Sequence, residues 1–355
     1  MVMYLGVLTS TLLLYPLLRK KWYFLCVFLI MIINVGTRDE HMGTDTSNYQ
    51  RLYSTYAVNP DLSLEPSFIE VGNRYLIYTA SCIYDDSSTF FCLAASITFF
   101  LVGMTVYKNT KAKGYWLPVF LLVGLGFYSY TFNALRQAIA VAFIFMLTNY
   151  IRSQRIFPIA ILIFLASLFH YSALFMICMV ALFIIIKRHI KHGYSPIKLY
   201  LLYNLSIGII TLWGYKAVIR SVDFLSKYEY YLDNVTTEAN AVELHWARIA
   251  LASMYFLISV CLVWLSKIDK TCGASYLTMG MMMSLAAMFT FAQQTTAYIF
   301  YRIVDYFAIF AVLAVPMVIE RIRPEIWRLP LKIAVIIMGY LSAIHIVSSG
   351  INGLQ

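Results

Sequence analysis

Apolar runs of roughly 13–20 residues recur along the whole chain, and this recurrence limits the possible folds more than any other feature. An α-helix rises about 1.5 Å per residue, so such runs are matched to a hydrocarbon layer about 30 Å thick. They predict spans near 3–18, 22–35, 88–107, 115–132, 134–151, 156–169, 171–187, 197–214, 248–266, 274–292, 302–319 and 331–349. The expected fold is therefore an all-α polytopic membrane protein of about twelve transmembrane helices. Composition agrees. Hydrophobic residues make up 61% and charged residues 12%, against about half and about a quarter in soluble domains. No stretch outside the spans is long enough to bury a soluble core, so residues 1–355 read as a single membrane domain. The apolar N-terminus carries no basic leader and no cleavage site, and it reads as the first span rather than a signal peptide. Six cysteines show no paired spacing and read as packing residues.

The net charge of +10 would suggest nucleic acid in a soluble protein. Here the cations sit in short loops between spans, where topogenesis accounts for them, so no nucleic-acid partner is expected. The basic clusters are Arg19-Lys20-Lys21, Lys108/Lys111/Lys113, Arg152/Arg155, Lys187/Arg188/Lys191, Lys267/Lys270 and Arg321/Arg323/Arg328/Lys332. All fall on one side if both termini are extracytoplasmic. Eighteen of the 27 Lys+Arg and three of the 17 Asp+Glu then lie inside, leaving nine and fourteen outside. The stretch 156–187 reads as two short helices with His170 at an outer turn, since one long helix would put Arg155 and Lys187 on opposite sides.

Two outer loops are long. Residues 36–87 carry eight acids, and 66–83 mixes apolar and polar positions as an interfacial helix does. Residues 215–247 are rich in charge and tyrosine, including Tyr228, Tyr230 and Tyr231, which suit a membrane–water boundary or a sugar-stacking surface.

Ionisable groups beside hydrocarbon are costly, so those at outer span ends are candidates for function. They are Asp39, Asp45, Arg136, His170, Arg248, Arg302 and Asp305. The arginines are the sharper signal, because they oppose the positive-inside bias. A guanidinium is always charged and its planar fork matches phosphate oxygens. The bland alternative is that each snorkels to the interface or pairs with an acid such as Asp305. His170 can act as base or acid, or can simply end a helix on a backbone bond. Asp45 lies in Gly43-Thr-Asp-Thr-Ser-Asn-Tyr49, where Asp or Thr can cap a helix starting near Ser47, or the carboxylate can serve as a base. Asp39 and Asp45 fit no metal motif, and neither a metal nor a cofactor is expected. Asn133, Arg136 and Gln137 share one side of a helix start by their i, i+3 and i, i+4 spacing.

Three blocks together resemble the EpsG-type members of the Wzy polysaccharide polymerases: Gly43-Thr-Asp-Thr-Ser-Asn-Tyr49, Asn133-Ala-Leu-Arg-Gln-Ala-Ile139 and Phe169-His-Tyr-Ser-Ala-Leu174. Tyr301-Arg302-Ile-Val-Asp-Tyr306 is a fourth, looser block. The resemblance implies an enzyme of the bacterial inner membrane with its active site facing outward. It would extend O-antigen, capsule or exopolysaccharide by moving a growing glycan from undecaprenyl diphosphate onto a lipid-linked repeat unit. The implied architecture is similar to the C-type glycosyltransferases. The implied partners are undecaprenyl-diphosphate-linked oligosaccharides, the lipid bilayer and a chain-length regulator protein. The implied catalytic residues are His170, Arg136 and Asp45. Arg302, Arg248, Asp39, Asn133, Gln137, Tyr49 and Asp305 would bind diphosphate or sugar.

Three other readings compete. An O-antigen ligase would show one large outer loop late in the chain, whereas the longest here is early. A flippase would need polar residues near the middle of several spans, and Asn149, Asn204 and Gln293-Gln294 sit nearer the ends. A sugar acyltransferase would surround its histidine with a pattern this chain lacks.

Overall fold

A computed structural model describes residues 2–61, 69–110, 114–151, 155–192, 195–209, 246–268, 273–295 and 299–349. Most of the 215–247 loop, with Tyr228, Tyr230 and Tyr231, lies outside the described residues, as does 62–68 of the early loop. The described residues form helix and no strand. In chain order the helices are α1 (Val2–Leu17), α2 (Lys20–Gly36), α3 (Thr46–Tyr56), α4 (Val71–Ile83), α5 (Ser87–Asn109) and α6 (Trp116–Gly124). Then come α7 (Phe127–Asn133), α8 (Leu135–Phe145), α9 (Thr148–Ile151), α10 (Ile156–Phe169), α11 (Phe175–Lys191) and α12 (Pro196–Ile209). The last are α13 (Trp246–Ile268), α14 (Gly273–Thr295), α15 (Ile299–Ala308), α16 (Ala311–Ile319) and α17 (Arg328–Ser348).

Each apolar run read from the sequence carries helix. Among the described residues, five helical stretches are long and apolar enough to cross a membrane: Ser87–Asn109, Arg248–Ile268, Ser275–Ala292, Arg302–Ile319 and Glu325–Ser348. The others are shorter or broken. Between α10 and α11 the helix stops at His170, which is extended (φ −157°, ψ 115°), and resumes after a single 3-10 turn at Tyr171–Leu174. The interfacial segment expected at 66–83 becomes α4, and the helix expected near Ser47 becomes α3.

The chain divides into two compact units, Met1–Ile177 with Ile319–Gln355, and Cys178–Val318. The sequence marks no such division, because apolar spans continue through both boundaries. In the first unit α6 is the core element, and every residue from Leu117 to Gly124 is buried. A helix apolar all round can only sit inside other helices or lipid. The hydroxyls of buried tyrosines find carbonyls there. Tyr4 donates to Val123 O at 2.6 Å and Tyr23 to Thr11 O at 2.8 Å, as buried phenols require. At the basic end, Lys20 Nζ donates to Tyr107 O and Thr110 O, both at 2.8 Å. It thereby caps the C-terminus of α5, where a cation also suits the helix dipole. By contrast α17 leaves Leu329, Ile333, Ile337, Met338, Leu341 and Ile344 exposed. An apolar surface of that extent belongs against lipid rather than water.

The second unit is built around α14, whose Met281, Met282, Met283, Leu285 and Ala286 are buried. Hydrogen bonds tie three of its helices together. Tyr200 Oη and Ser259 Oγ are 2.8 Å apart, Ser259 Oγ donates to Gly280 O at 2.5 Å, and Ser284 Oγ bonds Asn204 Oδ1. Small polar side chains commonly join helices in this way inside membranes. Ser259 and Ser284 lie near the middle of α13 and α14. Asn204 is thus not an end-of-span residue, as its sequence position suggests, but part of a mid-helix network. Its members pair with neighbouring helices through Asn204 Oδ1 and Ser259 Oγ, while Asn204 Nδ2 donates to Tyr200 O of its own helix at 2.8 Å.

α5 begins with a built cap. Asp86 Oδ1 accepts from Ser88 N at 2.6 Å, and its bonds with Ser88 hold the carboxyl below the usual Asp range. The folded state therefore favours the ionised form. The stabilisation is fully present above about pH 4 and is lost as pH falls below it. Asp86→Ala is expected to destabilise the protein by about 1 kcal/mol at neutral pH, with a smaller difference in acid. Thermal unfolding at the two pH values checks this.

Candidate active site

The three sequence blocks meet at one end of the first unit. The loop after α2 comes first. Arg38 is 9% exposed and donates through Nη1 to Thr131 O at 3.2 Å and Phe132 O at 3.1 Å. Those carbonyls belong to the last turn of α7, where helix carbonyls lack intrahelical partners and carry partial negative charge. The Arg38 guanidinium also lies 3.7 Å from the ring centre of Phe91 on α5, close enough for a cation–π contact. Burial pulls its pKa down to about 10, against the opposing effects of Tyr49 and Asp45, so it stays charged at neutral pH. Gly43 follows at φ 89°, and a Cβ there would lie 2.3 Å from Phe132 O. Only glycine allows both that backbone and that approach. Thr44 Oγ1 then donates to Asn133 Oδ1, which joins the first block to the second.

Helix α3 presents Tyr49, Tyr53 and Tyr56 at i, i+4 and i+7, all buried. This spacing puts them on one face. The ring of Tyr49 packs 6.1 Å from Phe90 and 6.4 Å from Phe91, and its hydroxyl lies 3.5 Å from Arg136 N. Asp45 stands at the N-cap of α3, but its side chain makes no capping bond, and its main-chain oxygen accepts from Tyr49 N at 3.0 Å. The capping alternative for Asp45 therefore does not hold. Its carboxylate is half-exposed, and Arg38 is near enough to feel its charge. Asp39 is exposed and accepts from His41 N at 2.9 Å within its own turn.

Arg136 lies in the first turn of α8. The expected shared helix face of Asn133, Arg136 and Gln137 is corrected here. Ala134 (φ −102°, ψ 52°) breaks the helix, leaving Asn133 at the end of α7. Gln137 points inward and is 1% exposed. Asn133 turns to Thr44, and Arg136 to Glu70. Arg136 Nη1 is 2.7 Å from Glu70 Oε2, with side-chain exposures of 27% and 5%. The carboxylate is thus buried, and the arginine side chain is mostly buried with a minor part exposed.

Glu70 has a second partner. Its Oε1 accepts from Tyr171 N at 3.3 Å. One α4 turn on, Asn73 Nδ2 donates to Phe169 O at 2.7 Å and is 3.5 Å from Glu70 Oε2. Gly72 makes the approach possible, since a Cβ there would be 2.6 Å from Leu168 O. The start of α4 therefore grips the main chain on both sides of His170. The histidine is half-buried, and its Nδ1 is 2.6 Å from Ser172 Oγ. That contact can fix the ring and its tautomer.

Glu70 is thus the common partner of Arg136 and of the segment that carries His170. In the sequence Glu70 and Arg38 are only two of the outer charges, and neither they nor Asn73 stand out there. The one local signal was Glu70 three residues before Asn73 at the start of an amphipathic stretch. Arg248, Arg302 and Asp305 belong to the second unit. All three are half-buried, with Arg302 and Asp305 one turn apart on α15.

The site joins a partly buried arginine at a helix N-terminus, a histidine whose ring bonds Ser172, and a carboxylate near a buried cation. The first favours an anion with phosphate-like oxygens, and the other two can accept a proton. Compared with known proteins, residues 21–354 match the model of the EpsG family. No curated protein and no solved structure matches the chain.

Proposed function

Because the chain belongs to the EpsG family, we propose that it is a polysaccharide polymerase. In this reading it is a glycosyltransferase of the bacterial inner membrane, with about twelve spans and a C-type glycosyltransferase plan. Both termini and the active site face outward. It moves a growing glycan from undecaprenyl diphosphate onto a lipid-linked repeat unit. The acceptor hydroxyl oxygen attacks the anomeric carbon of the chain's terminal sugar. The bond from that carbon to the diphosphate oxygen breaks, its electron pair leaves with undecaprenyl diphosphate, and the hydroxyl proton passes to a base.

The observation that carries the reading is Arg136, 27% exposed and held by buried Glu70 beside the His170 segment. Charge builds on the diphosphate oxygens as the bond breaks. A cation already in place lowers that barrier without reorganising. Arg136 takes this role, and Arg302 and Arg248 are further candidates on the sequence argument. His170 or Asp45 accepts the proton, and Asn133, Gln137, Tyr49, Asp39 and Asp305 are candidate sugar or diphosphate contacts. Orientation rests on the charge asymmetry of the loops.

Purified protein given only the lipid-linked repeat unit is expected to yield a ladder of longer lipid-linked chains. Alanine at Arg136, His170 or Arg302 is expected to shorten or abolish it. Transfer only onto lipid A core would indicate a ligase, and movement across the bilayer without new bonds would indicate a flippase. Either result would overturn the reading.

A further inference from the structure

We propose that Glu70 is a positioning residue, one that sets Arg136 and the His170–Tyr171 main chain in fixed register through the two oxygens of a single buried carboxylate. The inference rests on the polymerase reading, because Arg136 has work to do only if an anion departs there.

The geometry is specific. Oε2 takes Arg136 Nη1 at 2.7 Å, and Oε1 takes Tyr171 N at 3.3 Å. The two partners come from α8 and from the break after α10, so this carboxylate joins two of the three sequence blocks. The joint is stiffened from both sides. Asn73 holds Phe169 O at 2.7 Å, and the rings of Phe143 on α8 and Phe169 on α10 stack with centres 6.0 Å apart. Glu70 itself sits at the N-cap of α4, where its own main-chain oxygen accepts from Asn73 N at 3.0 Å. With the side chain 5% exposed, water offers neither oxygen a substitute. Both oxygens must accept, since both partners are N–H donors.

In Glu70→Gln the amide has one accepting oxygen and one NH2. Whichever way it turns, a donor faces either Arg136 or Tyr171 N. In Glu70→Asp the carboxylate retracts by about one carbon–carbon bond and cannot span both partners. Misplacing a group that must meet the transition state by about 1 Å lowers turnover on the order of 100-fold.

The test compares wild type, Glu70→Gln, Glu70→Asp and the charge swap Glu70→Arg/Arg136→Glu. Three readouts are taken per folded protein: kcat, KM and amide hydrogen exchange over residues 169–174. Both single variants are expected to lose kcat on the order of 100-fold with KM moved much less, and to exchange faster at 169–174. The swap can restore an ion pair but puts the cation on the wrong helix, so it is expected to stay inactive. If Glu70 is only a structural counter-charge, Glu70→Asp, which keeps that charge, holds wild-type kcat and the proposal fails; an active swap would likewise contradict it. Single variants at wild-type kcat would also overturn it, as would unchanged exchange at 169–174. A wild-type protein that makes no ladder would instead sink the polymerase reading, a result the variants alone cannot produce.

Discussion

Arg136→Ala is expected to lower chain extension per folded molecule on the order of 100–1,000-fold. The expectation follows from where charge appears. In the proposed reaction the leaving diphosphate gains charge as its bond to the anomeric carbon breaks, and Arg136 is the partly buried cation held next to the His170 segment. The variant also leaves Glu70 buried without its charge partner. Breaking a buried pair on one side costs about 3–5 kcal/mol, so some lost activity would be lost protein. Arg136→Ala/Glu70→Gln separates the two effects by removing both charges. It is expected to regain most of the stability and none of the turnover. Arg136→Lys keeps the charge but replaces a planar fork by a point, and it too is expected to fall well below wild type. Ladder formation per monodisperse protein measures all three. Wild-type turnover in the double variant would contradict the assignment.

Arg38→Ala is expected to lower stability strongly, through contacts independent of the Arg136–Glu70 pair. Arg38 makes two charge-assisted bonds to the end of α7 and a cation–π contact with Phe91. Bonds to a charged group contribute about 1.5–3 kcal/mol each, and these two share one guanidinium, so a loss of about 3 kcal/mol is reasonable. With unfolding entropy scaling with chain length, that corresponds to a fall of about 4 °C in the unfolding midpoint. The loop 37–45 is then expected to loosen from α7, carrying Asp45 and Thr44 with it. Arg38→Lys should recover only part of the loss, because an ammonium cannot bond both carbonyls and cover the ring together. Thermal unfolding in one detergent gives the comparison, and an unchanged midpoint in Arg38→Ala would refute this role.

The helices were legible because their signal is local. An apolar run of span length reports itself, and basic clusters such as Arg19-Lys20-Lys21 report which end is which. Arg136 and His170 were legible for a related reason, since a charge at an outer span end is out of place on local evidence alone. What stayed hidden depends on distant partners. Nothing near Glu70 in the sequence says that its carboxylate is buried, because Arg136 lies 66 residues on and Tyr171 lies 101 on. Arg38 was one outer arginine among several until Thr131 and Phe132, more than 90 residues away, met it. Helical spacing misled at Asn133, where the Ala134 break cannot be read from spacing. It also hid the polar network of Asn204, Ser259 and Ser284, whose members come from three helices.

In the proposed reaction a glycosidic bond forms and a lipid diphosphate is discharged in the same event. The most direct measurement counts both. Purified wild-type protein in proteoliposomes is given the lipid-linked repeat unit, and new glycosidic bonds and freed undecaprenyl diphosphate are quantified together over time. The two are expected to rise in equal numbers, and to fall together in Arg136→Ala/Glu70→Gln. Bonds without diphosphate release, release without bonds, or translocated repeat units with neither would contradict the proposed reaction.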